Sequence, residues 1–124
     1  MTLRLALSYG GRQEIADAAQ ELARKAVRGE LDPEQIDAAA IARELYDPSM
    51  PDPDLVIRSA GELRLSNFLL WEASYAEFWF TEVLWPEFRR AELAAGCEAY
   101  AQRVRRFGRV IDNDPAAQAP QSSA

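Results

Sequence analysis

The chain of 124 residues contains no histidine and only one cysteine, Cys97. Without histidine there is no imidazole for acid–base catalysis, and a Cys/His zinc site within one chain is excluded. A single thiol also excludes an intramolecular disulfide framework. Lys25 is the only lysine among the 14 basic residues. The other thirteen (14 − 1) are arginines, which suit bidentate recognition of phosphate, although a GC-rich coding sequence would give the same bias.

The chain also lacks a long uninterrupted apolar run, because Glu72, Glu77 and Glu82 divide its most apolar region. No segment has the length that a membrane-spanning helix needs, and none resembles a signal peptide. The net charge of −6 argues against non-specific binding of nucleic acid. We therefore expect a soluble, cytoplasmic protein with no nucleic-acid partner and no transmembrane segment.

Strand and helix patterns alternate along the chain, which is typical of an α/β fold with a parallel sheet and helices on both faces. Three strands are few for such a sheet, so residues 1–110 are expected to form part of a larger domain. The segment 111–124 consists mainly of Pro, Ala, Gln, Ser and acidic residues and predicts a disordered tail. The predicted strands are Leu3–Leu7, Leu55–Ile57 and Phe78–Thr81, and the predicted helices span 12–28, 33–45, 68–75 and 89–107.

Two glycine- and arginine-containing loops, residues 8–12 and 58–67, follow predicted strands. Ligands of open α/β sheets bind at this end of the strands. In the second loop Arg58 and Arg64 supply guanidinium groups, and Ser66 and Asn67 stand where a helix is predicted to begin. Free N–H groups at a helix N-terminus favour anions, so the loop suits a diphosphate. An ordinary strand–helix loop with solvated arginines is the alternative.

Glu77 lies between the predicted short helix and an aromatic strand. It could bind a Mg²⁺ ion held by a diphosphate, because such an ion needs few protein carboxylates. The local sequence alone favours a carboxylate paired with arginine, and Glu62 has the same two interpretations. The aromatic segment 68–85 favours buried core over a lipid-contacting surface.

Residues 52–88, DPDLVIRSAGELRLSNFLLWEASYAEFWFTEVLWPEF, resemble the last long signature of the cis-prenyltransferases, the undecaprenyl diphosphate synthase or isoprenyl transferase family. LALSYGGRQEI at residues 5–15 resembles an earlier family segment, and RVRRFG at residues 103–108 resembles the C-terminal one. The matches occur in family order and cover nearly all of the chain except the tail. The chain therefore resembles the C-terminal half of such an enzyme.

The resemblance implies a transferase that condenses isopentenyl diphosphate with an allylic prenyl diphosphate to make a Z-polyprenyl diphosphate of the undecaprenyl type, with the help of Mg²⁺. It also implies roles for individual residues. The positions that hold the pyrophosphate of isopentenyl diphosphate match Arg58, Arg64 and Ser66, and the acid that assists Mg²⁺ matches Glu77. Accessory candidates are Glu62 and Asn67. The C-terminal Arg-x-Gly pattern, which reaches the active site at the dimer interface, matches Arg106 and Gly108.

Several positions depart from the family pattern: Ser8 replaces Asn, Ser59-Ala60 replaces Thr followed by Ser or Gly, Glu72 replaces Gln and Val104 replaces Glu. The N-terminal family signature HxxxDGNxRWA, which supplies the catalytic Asp, is absent from the sequence. We therefore expect no catalytic residue in this chain and no synthase activity from it alone.

Partners implied by the resemblance are a second copy or a full-length synthase, with peripheral membrane association through the lipid product. A non-catalytic partner subunit and a stand-alone diphosphate-binding module are alternative functions. The sequence does not indicate the product length, because the residues that line the product tunnel of the family are mostly absent.

Overall fold

A computed structural model describes residues 2–104 of the chain. It contains three α-helices, a small sheet and three short 3₁₀ turns. Within this range, no helix is long and apolar enough to cross a membrane. The elements are α1 (Gly11–Val27), α2 (Ala38–Arg43), β1 (Leu55–Arg58), β2 (Glu77–Phe80) and α3 (Arg90–Ala101), with 3₁₀ turns at Pro33–Gln35, Glu72–Tyr75 and Trp85–Glu87.

The sheet consists of β1 and β2, which run parallel with Leu55 opposite Glu77 and Arg58 opposite Phe80. This arrangement confirms the predicted α/β class with a parallel sheet. The predicted strand Leu3–Leu7 is wrong, because this segment is extended but joins no ladder among the described residues. Its leucines are 74–82% exposed. An apolar run becomes a strand only where a neighbouring strand supplies hydrogen-bond partners, and none lies beside it in residues 2–104.

Helix α1 confirms the helix predicted from apolar spacing, and it buries Ala18 and Leu22 on one face. It ends where expected, because Gly29 adopts a left-handed φ of 72° that glycine accepts without steric cost. α2 packs against α1 and buries Ala40. The two helices therefore share a small apolar core.

The helix predicted to begin after Asp32 is divided into two pieces. Asp32 caps only the first 3₁₀ turn, where its side chain accepts a hydrogen bond from the backbone N–H of Glu34. The chain is then extended at Ile36 and Asp37, and Asp37 caps α2 through the N–H of Ala40. A second capping residue inside the apolar pattern thus restarts the helix.

Helix α3 packs on β2 and approaches the sheet at Gly96. A Cβ atom at Gly96 would lie 3.0 Å from the Trp79 ring and 3.1 Å from the Ile57 side chain. The missing side chain therefore permits the close contact between helix and sheet. α3 ends at Ala101, whereas the sequence predicted a helix as far as Phe107; residues 105–107 lie outside the described part.

Candidate functional site

The segment after β1 is held against the segment after β2 by backbone hydrogen bonds. The N–H of Ala60 donates to Val83 O and that of Gly61 to Thr81 O, while the N–H of Thr81 donates to Arg58 O, each at 2.9 Å. Ala60 and Gly61 both have positive φ, so the chain turns sharply directly after the strand. This turn fixes Arg58 at the carboxyl end of β1 and returns the following residues toward it.

Arg58, Glu62 and Arg64 form a three-residue cluster, called here the Arg–Glu–Arg cluster. One Nη atom of Arg58 lies 2.5 Å from Glu62 Oε2, and one Nη atom of Arg64 lies 2.5 Å from Glu62 Oε1. The side chains of Arg58, Glu62 and Arg64 are 22%, 40% and 66% exposed. One carboxylate therefore orients two guanidinium groups at the carboxyl end of a parallel strand, where their other N–H donors can meet an anion.

The helix predicted to begin at Ser66 and Asn67 does not form there. Ser66, Asn67 and Leu69 have φ values of 54°, 62° and 46°, which a right-handed helix cannot contain. The only helical turn in this segment is the 3₁₀ turn Glu72–Tyr75. The prediction that a helix begins here and offers its N–H groups to an anion is therefore wrong. Ser66 itself is exposed, two residues after Arg64.

Asn67 has a role that the sequence did not reveal, since it satisfies the first backbone N–H groups of α1. Its backbone O accepts from the N–H of Gly11 and its Oδ1 accepts from the N–H of Arg12, both at 2.8 Å. The residue before α1, Gly10, has no side chain that could cap the helix. Asn67 therefore caps α1 from 55 residues away in sequence and brings the two predicted loops together.

Glu77 lies away from the Arg–Glu–Arg cluster. It is the first residue of β2 and Arg58 is the last of β1, so the two occupy opposite ends of the parallel sheet. The carboxylate of Glu77 lies 2.8 Å from a guanidinium nitrogen of Arg103, which is the ion pair that the local sequence favoured.

The described residues do not fit a magnesium site as they stand. Within residues 2–104 there is no group of three or more Cys, Asp or Glu side chains that could hold a metal ion. Glu77, the candidate ligand, is paired with Arg103 and begins β2 at the opposite end of the sheet from Arg58. The remaining candidates, Arg106 and Gly108, lie outside the described residues.

Comparisons with known proteins agree with the resemblance seen in the sequence. The prenyltransferase family model described as undecaprenyl diphosphate synthase matches residues 1–108. A (2Z,6E)-farnesyl diphosphate-specific trans,polycis-polyprenyl diphosphate synthase from Thermobifida fusca is 52% identical over the whole chain, which spans 43% of that relative. The chain thus spans about two fifths of the length of this curated relative, and its assignment to the C-terminal half stays a prediction.

Solved structures show the same fold in part of larger proteins. The lavandulyl diphosphate synthase from Lavandula x intermedia, crystallised with dimethylallyl diphosphate, matches with a TM-score of 0.81 and 44% identity over 84% of this chain and 45% of that one. A probable undecaprenyl diphosphate synthase from Campylobacter jejuni matches with a TM-score of 0.69 and 36% identity, over 84% of this chain and 46% of that one. The chain therefore belongs to the undecaprenyl diphosphate synthase family of prenyltransferases.

Proposed function

We propose that the Arg–Glu–Arg cluster binds the diphosphate group of isopentenyl diphosphate. The observation that supports this most strongly is that Glu62 holds Arg58 and Arg64 together at the carboxyl end of β1. Two guanidinium groups and one carboxylate leave a net charge of about +1, and each guanidinium keeps free N–H donors for phosphate oxygens. The exposed hydroxyl of Ser66 adds a further donor beside Arg64.

Glu62 acts as a positioning residue in this proposal. Each arginine gives one Nη atom to Glu62, which leaves the rest of each planar group available for bidentate contact. A fixed orientation lowers the entropy that two long side chains would lose on binding. Asn67 also anchors this segment of the chain through its hydrogen bonds to the start of α1.

The reaction proposed for the protein is that of the family, a condensation of two prenyl diphosphates. The allylic C–O bond breaks and diphosphate leaves, a C–C bond forms from the double bond of isopentenyl diphosphate, and a proton is lost. In this proposal the chain contributes the site that binds isopentenyl diphosphate. The magnesium role of Glu77 stays a prediction, because residues 2–104 do not by themselves form a site for the metal.

The binding proposal is tested by titrating isopentenyl diphosphate into the wild-type chain and into Arg64→Ala by calorimetry. Loss of one charge-assisted contact of about 1.5–3 kcal/mol predicts a loss of affinity of roughly tenfold to a hundredfold. Arg28→Ala is the matched control, since Arg28 is an exposed arginine that pairs with Glu21 and Glu30 at the end of α1. Equal affinities for wild type and Arg64→Ala would contradict the proposal.

A second copy or a full-length relative is the proposed partner, with Arg106 and Gly108 as the proposed contact residues. Sedimentation of the chain, alone and mixed with a full-length synthase, tests this directly. Elongation of farnesyl diphosphate with labelled isopentenyl diphosphate, measured on the same samples, separates a chain that only binds from one that also catalyses. Elongation by the chain alone would contradict the expectation that it is inactive by itself.

A further inference from the structure

Two buried glutamates, one on α1 and one in the 3₁₀ turn Glu72–Tyr75, line the same cavity. Glu14, on α1, is 2% exposed, and Glu72, in the turn, is 7% exposed. Glu14 is well supplied with donors, because its Oε2 accepts from the hydroxyl of Tyr9 and its Oε1 accepts from the N–H of Tyr46 at 3.0 Å. Burial of two carboxyl groups side by side is costly unless a proton lies between them.

One carboxylate oxygen of Glu72 lacks a hydrogen-bond partner in the described part of the chain. This atom, Oε2, is buried, and no backbone or side-chain donor among residues 2–104 reaches it. The carboxyl groups of Glu72 and Glu14 line one cavity, and two ionised carboxylates buried there would repel one another. A proton on one of the two carboxyl groups resolves this conflict.

The surrounding charges reinforce the need for a proton. Asp52, on the turn before β1, adds a negative charge near Glu72. Arg4 lines the same cavity of about 400 Å³ but is paired with Asp47 at 2.6 Å. Burial is the largest of the effects that raise the pKa of Glu72, and the negative charges of Glu14 and Asp52 raise it further. A hydrogen bond from the backbone N–H of Glu72 lowers this pKa in part.

Two tyrosines also line the cavity and keep their protons. The hydroxyl of Tyr46 donates to Asp17, which raises the pKa of Tyr46, and the hydroxyl of Tyr9 donates to Glu14. Burial, the hydrogen bond to Glu14 and the charges of Glu72 and Glu14 all raise the pKa of the Tyr9 phenol. Tyr9 therefore donates to Glu14 across the working pH range and leaves Glu72 as the group that changes protonation.

We propose that Glu14 and Glu72 share one proton in the folded chain and act as a pH-dependent clasp between α1 and the Glu72–Tyr75 turn. Glu72 lies five residues after Asn67, which caps α1. Ionisation of both carboxyl groups would therefore weaken the contact between the two loops. A carboxyl group that binds its proton more tightly in the folded state contributes less to the free energy of unfolding as the pH rises. The loss begins at the ordinary value of 4.5 and continues up to the raised folded pKa of Glu72.

The test compares urea unfolding of the whole chain, wild type against Glu72→Gln, from pH 4 to pH 9. Glutamine keeps the shape and supplies an N–H donor to Glu14 at every pH. The ratio of the variant's folding equilibrium constant to that of wild type should therefore grow with pH, about tenfold for each unit by which the folded pKa of Glu72 exceeds its unfolded value. Glu82→Gln, the same change at an exposed position, should give a constant ratio.

A ratio for Glu72→Gln that does not change with pH would overturn the proposal. Should that variant fail to fold, the wild-type chain labelled with ¹³C at glutamate Cδ provides the same answer by NMR. One glutamate carboxyl group is expected to titrate clearly above 4.5. Titration of every glutamate at or below its ordinary value would overturn the proposal as well.

Discussion

Substitution of Asn67 by alanine should destabilise the fold by about 2 kcal/mol, as the sum of two effects. The first is loss of the Oδ1 acceptor 2.8 Å from the N–H of Arg12, which by analogy with helix caps costs about 1 kcal/mol. The second is the left-handed backbone at a φ of 62°, which costs an alanine about 1 kcal/mol more than it costs an asparagine. Thermal unfolding followed by circular dichroism should then show a midpoint lower by roughly 8 °C.

Two further substitutions at Asn67 separate these effects. Asn67→Gly loses the cap but accepts the backbone conformation, so about 1 kcal/mol should be lost. Asn67→Asp keeps both the acceptor and the tolerance for positive φ, and its charge at the start of α1 is favourable, so stability should remain within about 0.5 kcal/mol of wild type. An Asn67→Ala chain as stable as wild type, or a glycine variant less stable than the alanine variant, would refute this reasoning.

Two other predictions concern close packing and an ion pair. Gly11→Ala places a Cβ atom 2.9 Å from Leu70 Cγ and 3.0 Å from the Leu70 backbone N, so we expect a loss of about 1–2 kcal/mol in urea unfolding; an unchanged midpoint would show that the contact relaxes freely. Glu77→Gln breaks the ion pair with Arg103, in which the Glu77 side chain is 27% and the Arg103 side chain 39% exposed. The free energy of unfolding should fall by less than about 1 kcal/mol, and 1 M NaCl should make this difference smaller. A larger cost that salt leaves unchanged would contradict a simple surface pair.

The elements that the sequence predicted correctly carry local signals. The β-branched residues Val56 and Ile57 lie in β1, and Gly29 follows the end of α1 with the left-handed backbone that glycine permits. The same apolar run predicts the position of Arg58 at the end of the strand, because Arg58 comes directly after it. The placement of one arginine of the candidate site could therefore be predicted without a structure.

The elements that the sequence predicted wrongly depend on distant contacts. Leu3–Leu7 has the composition of a strand, but composition does not supply a neighbouring strand. Asn67 has the composition of a local helix cap, yet it caps a helix 55 residues earlier. The cavity that Glu14 and Glu72 share is likewise invisible locally, because the two buried residues lie far apart in the sequence.

A crystal structure of the chain grown with isopentenyl diphosphate would show whether the Arg–Glu–Arg cluster binds the diphosphate group. We expect phosphate oxygens within hydrogen-bond distance of the guanidinium groups of both Arg58 and Arg64, with Glu62 still bound to at least one of them. A diphosphate bound elsewhere on the chain, with the Arg–Glu–Arg cluster free of ligand, would contradict this expectation.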